Sequence, residues 1–253
     1  MKITFLGTGA ADFSPLLKIE YKNKLSKDHR RSSSILIEEQ FLVDCGPHTA
    51  ESFRLQGLHT SKVTDLFLTH FHDDHYDRDS IAQIAAQTVE PLRIWHRAGA
   101  TPEPMEHVVF CPVEVGEKFT TCGMKAVGYA ANHTDFPLHY DLEWQGKKLF
   151  YGCDGGWYLC ETMYAISLRE YDIMLVDGTV GDYNGDSRVF EHNSIPMLRM
   201  LKPSFEEWKV IGPQGQIWLQ HVAPTLHKPH DETEKFLRKD DLFIAYDGLT
   251  LEI

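Results

Sequence analysis

Within the seven residues Thr69-His70-Phe71-His72-Asp73-Asp74-His75 the chain carries three imidazoles and two carboxylates. They follow the apolar run Val63-Thr64-Asp65-Leu66-Phe67-Leu68, which reads as a buried strand with polar flanks. In extended backbone His70 and His72, two residues apart, point to the same side. A turn after His72 can then present Asp74 and His75 to a second ion nearby, with Asp73 as a spacer facing away. Imidazole suits zinc, iron or manganese, and a hard carboxylate among imidazoles favours a hydrolytic divalent metal. A histidine-rich loop without such a duty would leave the preceding strand and the matching downstream residues unexplained.

Three later positions offer the same chemistry at the ends of apolar runs. His133 follows Val127-Gly128-Tyr129-Ala130-Ala131-Asn132, and His221 follows Ile217-Trp218-Leu219-Gln220. Asp154 follows Leu149-Phe150-Tyr151-Gly152-Cys153 and precedes Gly155-Gly156, where the backbone can bend sharply. Each alone says little, because a single strand-end His or Asp is usually a turn or hydrogen-bonding residue. Together with the first cluster they make a full complement for two metals. Two divalent cations sharing a water lower its pKa towards neutrality, giving a hydroxide nucleophile, and can neutralise the oxygens of an ester or phosphodiester. No serine or cysteine nucleophile is then needed, and no G-x-S-x-G elbow is present.

The elements that must position these groups are short strands alternating with short helices. Lys2 to Leu6 reads as a strand before the small-residue turn Gly7-Thr8-Gly9-Ala10-Ala11, and Ser33 to Glu38 with Gln40 to Asp44 as a hairpin pair. Ser80 to Thr88 is helical in composition, and Leu92 to His96 returns to strand. Met124 to Ala131, Leu138 to Trp144, Lys148 to Tyr151, Tyr171 to Val176 and Gln216 to Gln220 are strand-like. Trp157 to Leu168 and Asn193 to Leu201 read as helices, and the chain closes in strands around Phe243 to Tyr246 and Leu249 to Ile253. Many strands with interspersed helices imply layers of sheet and helix around one core. No linker or repeat divides the chain, so a single domain over residues 1–253 is expected.

Composition sets the outer bounds. Hydrophobic residues are 42% and charged residues 25%, as in an ordinary globular protein, and no stretch approaches the ~20 apolar residues needed to cross a bilayer. The N-terminus enters a strand at once without a signal-like apolar segment, so a cytoplasmic protein is expected. The five cysteines, Cys45, Cys111, Cys122, Cys153 and Cys160, show no C-x-x-C spacing and read as reduced. A formal charge of −12 disfavours tight binding of long nucleic acids. The local exception runs from Lys18 to Arg31, where Lys18, Lys22, Lys24, Lys27, Arg30 and Arg31 make either a solvated loop or an anion-steering lip.

The ordered set His70-x-His72-x-Asp74-His75, His133, Asp154 and His221 resembles the metallo-β-lactamase superfamily. Leu42-Val43-Asp44-Cys45-Gly46 is similar to its early Asp motif, and Ala245-Tyr246-Asp247-Gly248 to its closing turn. The resemblance implies an αββα sandwich, an α/β fold of two packed mixed sheets flanked by helices, with a dinuclear site on one rim. It implies that His70, His72 and His133 hold one metal, that Asp74, His75 and His221 hold the other, and that Asp154 bridges them. Asp44 would orient a ligand histidine. The ions would be zinc or manganese, with iron as a further candidate.

Met1 to Ala10 and Arg31-Ser32-Ser33-Ser34 resemble the phosphodiesterase branch, which includes ribonuclease Z and the phosphoribosyl cyclic phosphate phosphodiesterase. That branch carries a non-ligand histidine where this chain has Glu191-His192-Asn193-Ser194, so His192 becomes a phosphate contact or general acid, with Asp74 the other catalytic candidate. A helix-entry residue bonding to backbone is the plainer reading of His192. Asn132-His133-Thr134 and Asp154-Gly155-Gly156 favour the cyclic phosphodiesterase, and the Gly/Pro-rich tRNA-gripping arm of ribonuclease Z is not seen. Phe13 to Arg31 holds no cysteine, so the structural zinc of some relatives is not expected. The implied activity is hydrolysis of a small, including cyclic, phosphodiester. Alternatives are a tRNA 3′-processing endoribonuclease, a lactone or thioester hydrolase, and a non-catalytic metal-binding module. A homodimer is a further expectation, and His48, His227 and His230 read as surface histidines.

Overall fold

Alternation within single strands separates an inner from an outer face. Leu149 and Tyr151 pack in one core with Ile173 and Leu175, whereas the intervening Phe150, Met174 and Val176 belong to another. A sheet apolar on both faces must be covered on both. The computed structural model describes residues 1–12 and 23–253.

The first half supplies β1 (Lys2–Gly7), β2 (Ser34–Ile37), β3 (Phe41–Val43), β4 (Asp65–Phe67), β5 (Leu92–Arg97) and β6 (Val108–Val113). The second supplies β7 (Lys118–Thr121), β8 (Met124–Ala130), β9 (Leu138–Trp144), β10 (Lys147–Gly152), β11 (Tyr171–Asp177), β12 (Ile211–Gln220), β13 (Phe243–Ile244) and β14 (Thr250–Glu252). One sheet runs β14-β1-β2-β3-β4-β5-β6 and the other β13-β12-β11-β10-β9-β8-β7. In the first, β3 to β6 are parallel and β14 to β3 antiparallel; in the second, β10 to β13 are parallel and β7 to β10 antiparallel. Both sheets are therefore mixed.

Ile3, Phe5, Ile35, Phe41 and Phe67 of the first sheet meet Leu138, Tyr140, Leu149, Tyr151 and Leu175 of the second in a buried central layer. Each such large side chain contributes about 1.5–3 kcal/mol by leaving water. Helices α1 (Thr49–Leu55) and α2 (Arg78–Ala85) cover the first sheet through Phe53, Ile81 and Ile84. Helices α3 (Cys160–Ser167), α4 (Ile195–Glu207) and α5 (His230–Leu237) cover the second through Ile166, Leu198, Phe205 and Leu237. The order of layers is α, β, β, α, as expected.

Boundaries differ where the chain serves the rim. The helix expected from Trp157 begins only at Cys160, because Gly156 N donates to Asn132 O (3.1 Å) and holds that segment beside the site. The helix expected from Asn193 begins at Ile195, capped by Ser194 Oγ accepting from Met197 N, and runs on to Glu207.

Two residues of the basic segment form a structural brace, whereas Lys24 and Lys27 are exposed as in a solvated loop. Arg30 and Arg31 are buried; Arg30 donates to Thr8 Oγ1 (2.7 Å) and Ala245 O (2.6 Å), and Arg31 faces Glu51 and Asp247. Those two belong neither to a solvated loop nor to a steering lip. Lys18 and Lys22, and part of the cysteine-free stretch Phe13 to Arg31, lie outside the described residues. His230 is buried rather than on the surface, with Nδ1 3.0 Å from Arg30 Nη2. His48 and His227 are half-buried, and His227 Nε2 donates to Gly178 O at 2.7 Å.

Candidate metal centre

Six elements that end at one rim of the sandwich deliver a polar side chain there. Asp44 follows β3, residues 69–75 follow β4, His133 lies beyond β8, Asp154 beyond β10, and His221 directly follows β12. Asp177 closes β11, at the same rim. Carboxyl ends of parallel strands are where open backbone can turn about a ligand. Leu138 N donates to Thr69 O (2.9 Å), which joins the two sheets at this edge.

The turn of residues 69–75 is pinned on both sides. Asp77 Oδ2 accepts from Ser80 N (2.7 Å) and caps α2, a contact worth about 1 kcal/mol. Gly46 admits the Asp74 backbone, since a Cβ there would lie 2.1 Å from Asp74 O. Asp44 and His221 both adopt left-handed φ, +57° and +55°, uncommon for such residues. Val222 N donates to Thr8 O (2.8 Å), so the Gly7-Thr8-Gly9 turn braces the His221 corner.

Two clusters result. His70 Nε2 is 2.9 Å from His72 Nδ1, which is 3.4 Å from His133 Nε2. His75 Nε2 lies 3.4 Å from Asp74 Oδ2, 3.3 Å from Asp154 Oδ2 and 3.2 Å from His221 Nε2. Asp154 Oδ2 is also 3.8 Å from His70 Nε2 and 3.7 Å from His133 Nε2, so this carboxylate stands between the clusters. All seven expected ligands are brought together, and Asp73 is exposed and points elsewhere.

The histidines are tethered through their far nitrogens. His75 Nδ1 donates to Asp44 Oδ2 (2.8 Å), and Thr69 Oγ1 donates to Asp44 Oδ1 (2.9 Å) while lying 2.9 Å from His70 Nδ1. His72 Nε2 faces Asp135 Oδ2 (2.9 Å), His133 Nδ1 faces Glu191 O (3.2 Å), and His221 Nδ1 faces Thr179 Oγ1 (2.7 Å). Such partners fix the tautomer and leave the inner nitrogen a lone pair. Asp154 Oδ1, although 2.8 Å from His221 Nδ1, makes no aligned hydrogen bond in its buried position. Converging lone pairs and an unsatisfied buried carboxylate oxygen fit a pair of divalent cations.

Charge differs between the clusters. Burial, reinforced by the neighbouring His75, holds His70 well below the ordinary histidine range, and burial lowers His133. His75 and His221 go the other way: burial opposes their charge, but Asp74 and Asp154 outweigh it and raise both. Asp154 is pushed up by burial and pulled further down by His221 and His75, ending well below the carboxylate range.

His192 stands beside this centre, its ring stacked on His221 at 5.5 Å. Its Nδ1 is 2.8 Å from Asp177 Oδ2. Burial disfavours its charge, but Asp177 more than compensates and raises its pKa. The plain helix-entry reading of His192 misses this carboxylate. Asp177 also accepts from Thr179 N (2.9 Å) and Asn193 N (3.2 Å). Asp177, Thr69 and Thr179 were not singled out by the sequence. The available signal was Asp177's position at the end of a buried strand parallel to the one carrying His221.

A family profile described as "Anti-Pycsar protein Apyc1" matches residues 1–77. The chain is 37% identical over 75 residues to ribonuclease Z of Methanothermobacter thermautotrophicus, covering 30% of this chain and 21% of that protein. It is 34% identical over 79 residues to Homo sapiens zinc phosphodiesterase ELAC protein 1, covering 30% and 18%. The match spans about a fifth of the length of these curated relatives. Among solved structures, a new diphosphatase from the PhnP family superposes with a TM-score of 0.73 at 18% identity, covering 100% of this chain and 96% of that one. YhfI of Bacillus subtilis, described as a metallo-β-lactamase fold protein, gives 0.72 at 14% identity, covering 99% of each. Human tRNase Z, short form, gives 0.71 at 19% identity, covering 100% and 99%. The chain has the metallo-β-lactamase fold.

Proposed function

We propose that the protein is a dinuclear metal-dependent hydrolase, and within that class a phosphodiesterase of small substrates, cyclic phosphodiesters included. The observation that carries this reading is the pairing of the seven-residue double cluster with an Asp177–His192 pair at its edge. His70, His72 and His133 would hold one ion and Asp74, His75 and His221 the other, with Asp154 shared. When bound, two divalent cations supply an activated water and neutralise phosphoryl oxygens. Zinc is supported by the name of the ELAC relative, and the nitrogen and oxygen donors also suit manganese or iron.

The chain's own residues do the rest. Asp44 and Thr69 keep His75 and His70 in the tautomers that turn lone pairs inward. His192, whose protonated form Asp177 favours, supplies a proton to the leaving oxygen or a donor to the phosphate. Asp74, beside His75 and His221, sets the charge on the second cluster. Five free cysteines support a reducing, cytoplasmic setting. Among the described residues no helix is long and apolar enough to cross a membrane.

The second reading is an RNA-processing nuclease, favoured by the likeness to ribonuclease Z over the first third of the chain. The charge of −12 supports a small substrate instead. The test is a hydrolysis screen of Zn- and Mn-loaded protein, with metal content measured in parallel. Cyclic and linear phosphodiesters, including bis(p-nitrophenyl) phosphate, should be cleaved. Turnover of lactones or thioesters alone would overturn the phosphodiesterase assignment. Cleavage of precursor tRNA with steep salt dependence would favour the nuclease.

A further inference from the structure

A cavity of about 530 Å³ opens directly beside the first cluster, walled by Thr69, His70, Phe71, His96, Arg97 and Phe136. Its size falls in the range of roughly 300–1,000 Å³ typical of small-ligand sites. Ala98, Gly99, Ala100 and Asp135 complete its lining. The wall carrying Phe136 is the 133–137 loop, which begins with the candidate ligand His133. The residue before Phe136, Asp135, bonds the outer nitrogen of His72. The cavity thus takes its wall from His70 and a direct hydrogen bond from His72, and its 133–137 loop carries His133 two residues before Asp135.

Phe136 has no folding role to explain its place. It is 73% exposed at the loop tip, and it and Asp135 both adopt left-handed φ, +51° and +59°. Two successive strained residues that expose an aromatic ring point to a function for the ring. The geometry is held from both sides. Arg97 Nη1 donates to Phe136 O (2.9 Å), and the Arg97 guanidinium lies 5.3 Å from the Phe136 ring centroid. No carboxylate among the described residues forms an ion pair with Arg97, and Asp135, the one acid in the cavity wall, is engaged by His72.

We propose that this cavity is a subsite for the organic group carried by the scissile phosphate, and that it takes a planar aromatic ring stacked on Phe136. The proposal rests on the phosphodiesterase reading above. An aliphatic group would gain from apolar area anywhere in the cavity. A flat ring alone exploits an exposed phenyl backed by a guanidinium, and Arg97 also attracts the anion to which the ring is attached.

Two diesters with one leaving group test it: 4-nitrophenyl phenyl phosphate and ethyl 4-nitrophenyl phosphate. Their kcat/KM ratio should fall about tenfold in Phe136→Ala and in Phe136→Leu, the size of a lost stacking contact, and survive in Phe136→Trp. In parallel, calorimetry of metal-loaded protein should show phenyl phosphate bound more tightly than methyl phosphate, with the preference lost in Phe136→Ala. Diester cleavage with an unmoved ratio and no Phe136-dependent preference for phenyl phosphate overturns the subsite and leaves the hydrolytic reading intact. A Phe136-dependent preference for phenyl phosphate without cleavage of any diester supports the subsite and overturns the hydrolytic reading. Absence of both overturns the subsite.

Discussion

Two Asp–His pairs in this rim have the same geometry and different surroundings. Asp44–His75 and Asp177–His192 each close at 2.8 Å between Oδ2 and Nδ1. His75 is fully enclosed, and its Nε2 meets Asp74, Asp154 and His221 within 3.4 Å. The His192 side chain is 13% exposed, and no described residue hydrogen-bonds its Nε2. In both pairs the carboxylate fixes the tautomer and favours the imidazolium. What the other nitrogen faces then separates the roles: His75 is surrounded by groups that suit a shared cation, while His192 can present a proton to an incoming molecule.

That contrast is broken most severely at the nitrogens themselves. His75→Ala should lose the ion of the second cluster, seen by metal analysis, and reduce phosphodiester turnover to background. His192→Ala should keep its metal, yet turnover of a diester with a poor leaving group should fall about 10²–10⁴-fold. A p-nitrophenolate leaving group, which needs little protonation, should lose far less. If His192→Ala also sheds metal, the two pairs are not distinct.

The carboxylates should give smaller effects. Asp44 receives hydrogen bonds from Thr69 N, Thr69 Oγ1 and His75 Nδ1, so Asp44→Asn aims an NH₂ group at a donor. His75 must then flip its tautomer and point a proton inward, and competition with a chelator should show metal affinity lower by about 10–100-fold. Asp177→Asn should move a pH profile instead. Asp177 raises the His192 pKa, so the acid form persists to higher pH in the native protein. Removing that charge should shift the alkaline limb of kcat to lower pH. A limb that stays in place would exclude His192 as the titrating acid.

How visible these pairs are in the chain follows from distance along it. His70, His72, Asp74 and His75 stand within six residues, where strand and turn geometry alone forces convergence. His133, Asp154 and His221 were readable because each ends an apolar run, and the αββα layering followed from alternation of the kind seen at Leu149, Phe150 and Tyr151. Asp44 was readable only through a motif. Asp177 was not, because an acid ending a buried strand looks like any strand-end turn former until a residue 15 positions away is folded onto it. Helices α1 and α5 and strands β6 and β7 were also missed. The β6 pattern, Val108–Val113, is partly exposed at a sheet edge and lacks clean alternation. Likewise, Arg30 and Arg31 looked like surface charge because their partners, among them Ala245 and Asp247, come from the far end of the chain.

A third buried histidine provides the control for the two pairs. His139 Nε2 donates to the backbone carbonyl of Asp154 (3.0 Å), its Nδ1 has no hydrogen-bond partner, and no carboxylate bonds the ring. Burial therefore decides, and the pKa is pushed down to about 4. A histidine whose folded value lies below its unfolded value near 6.5 gives stability that is complete above 6.5 and lost as pH falls towards 4. Between about pH 7.5 and pH 5 the loss from His139 should be about 2 kcal/mol. His139→Gln keeps a donor for the Asp154 carbonyl and removes the titration. Denaturant unfolding of metal-free protein should then show a pH dependence shallower by about that amount. If native and variant slopes coincide, His139 is not held neutral by its burial, and it is no control for histidines that have a carboxylate partner.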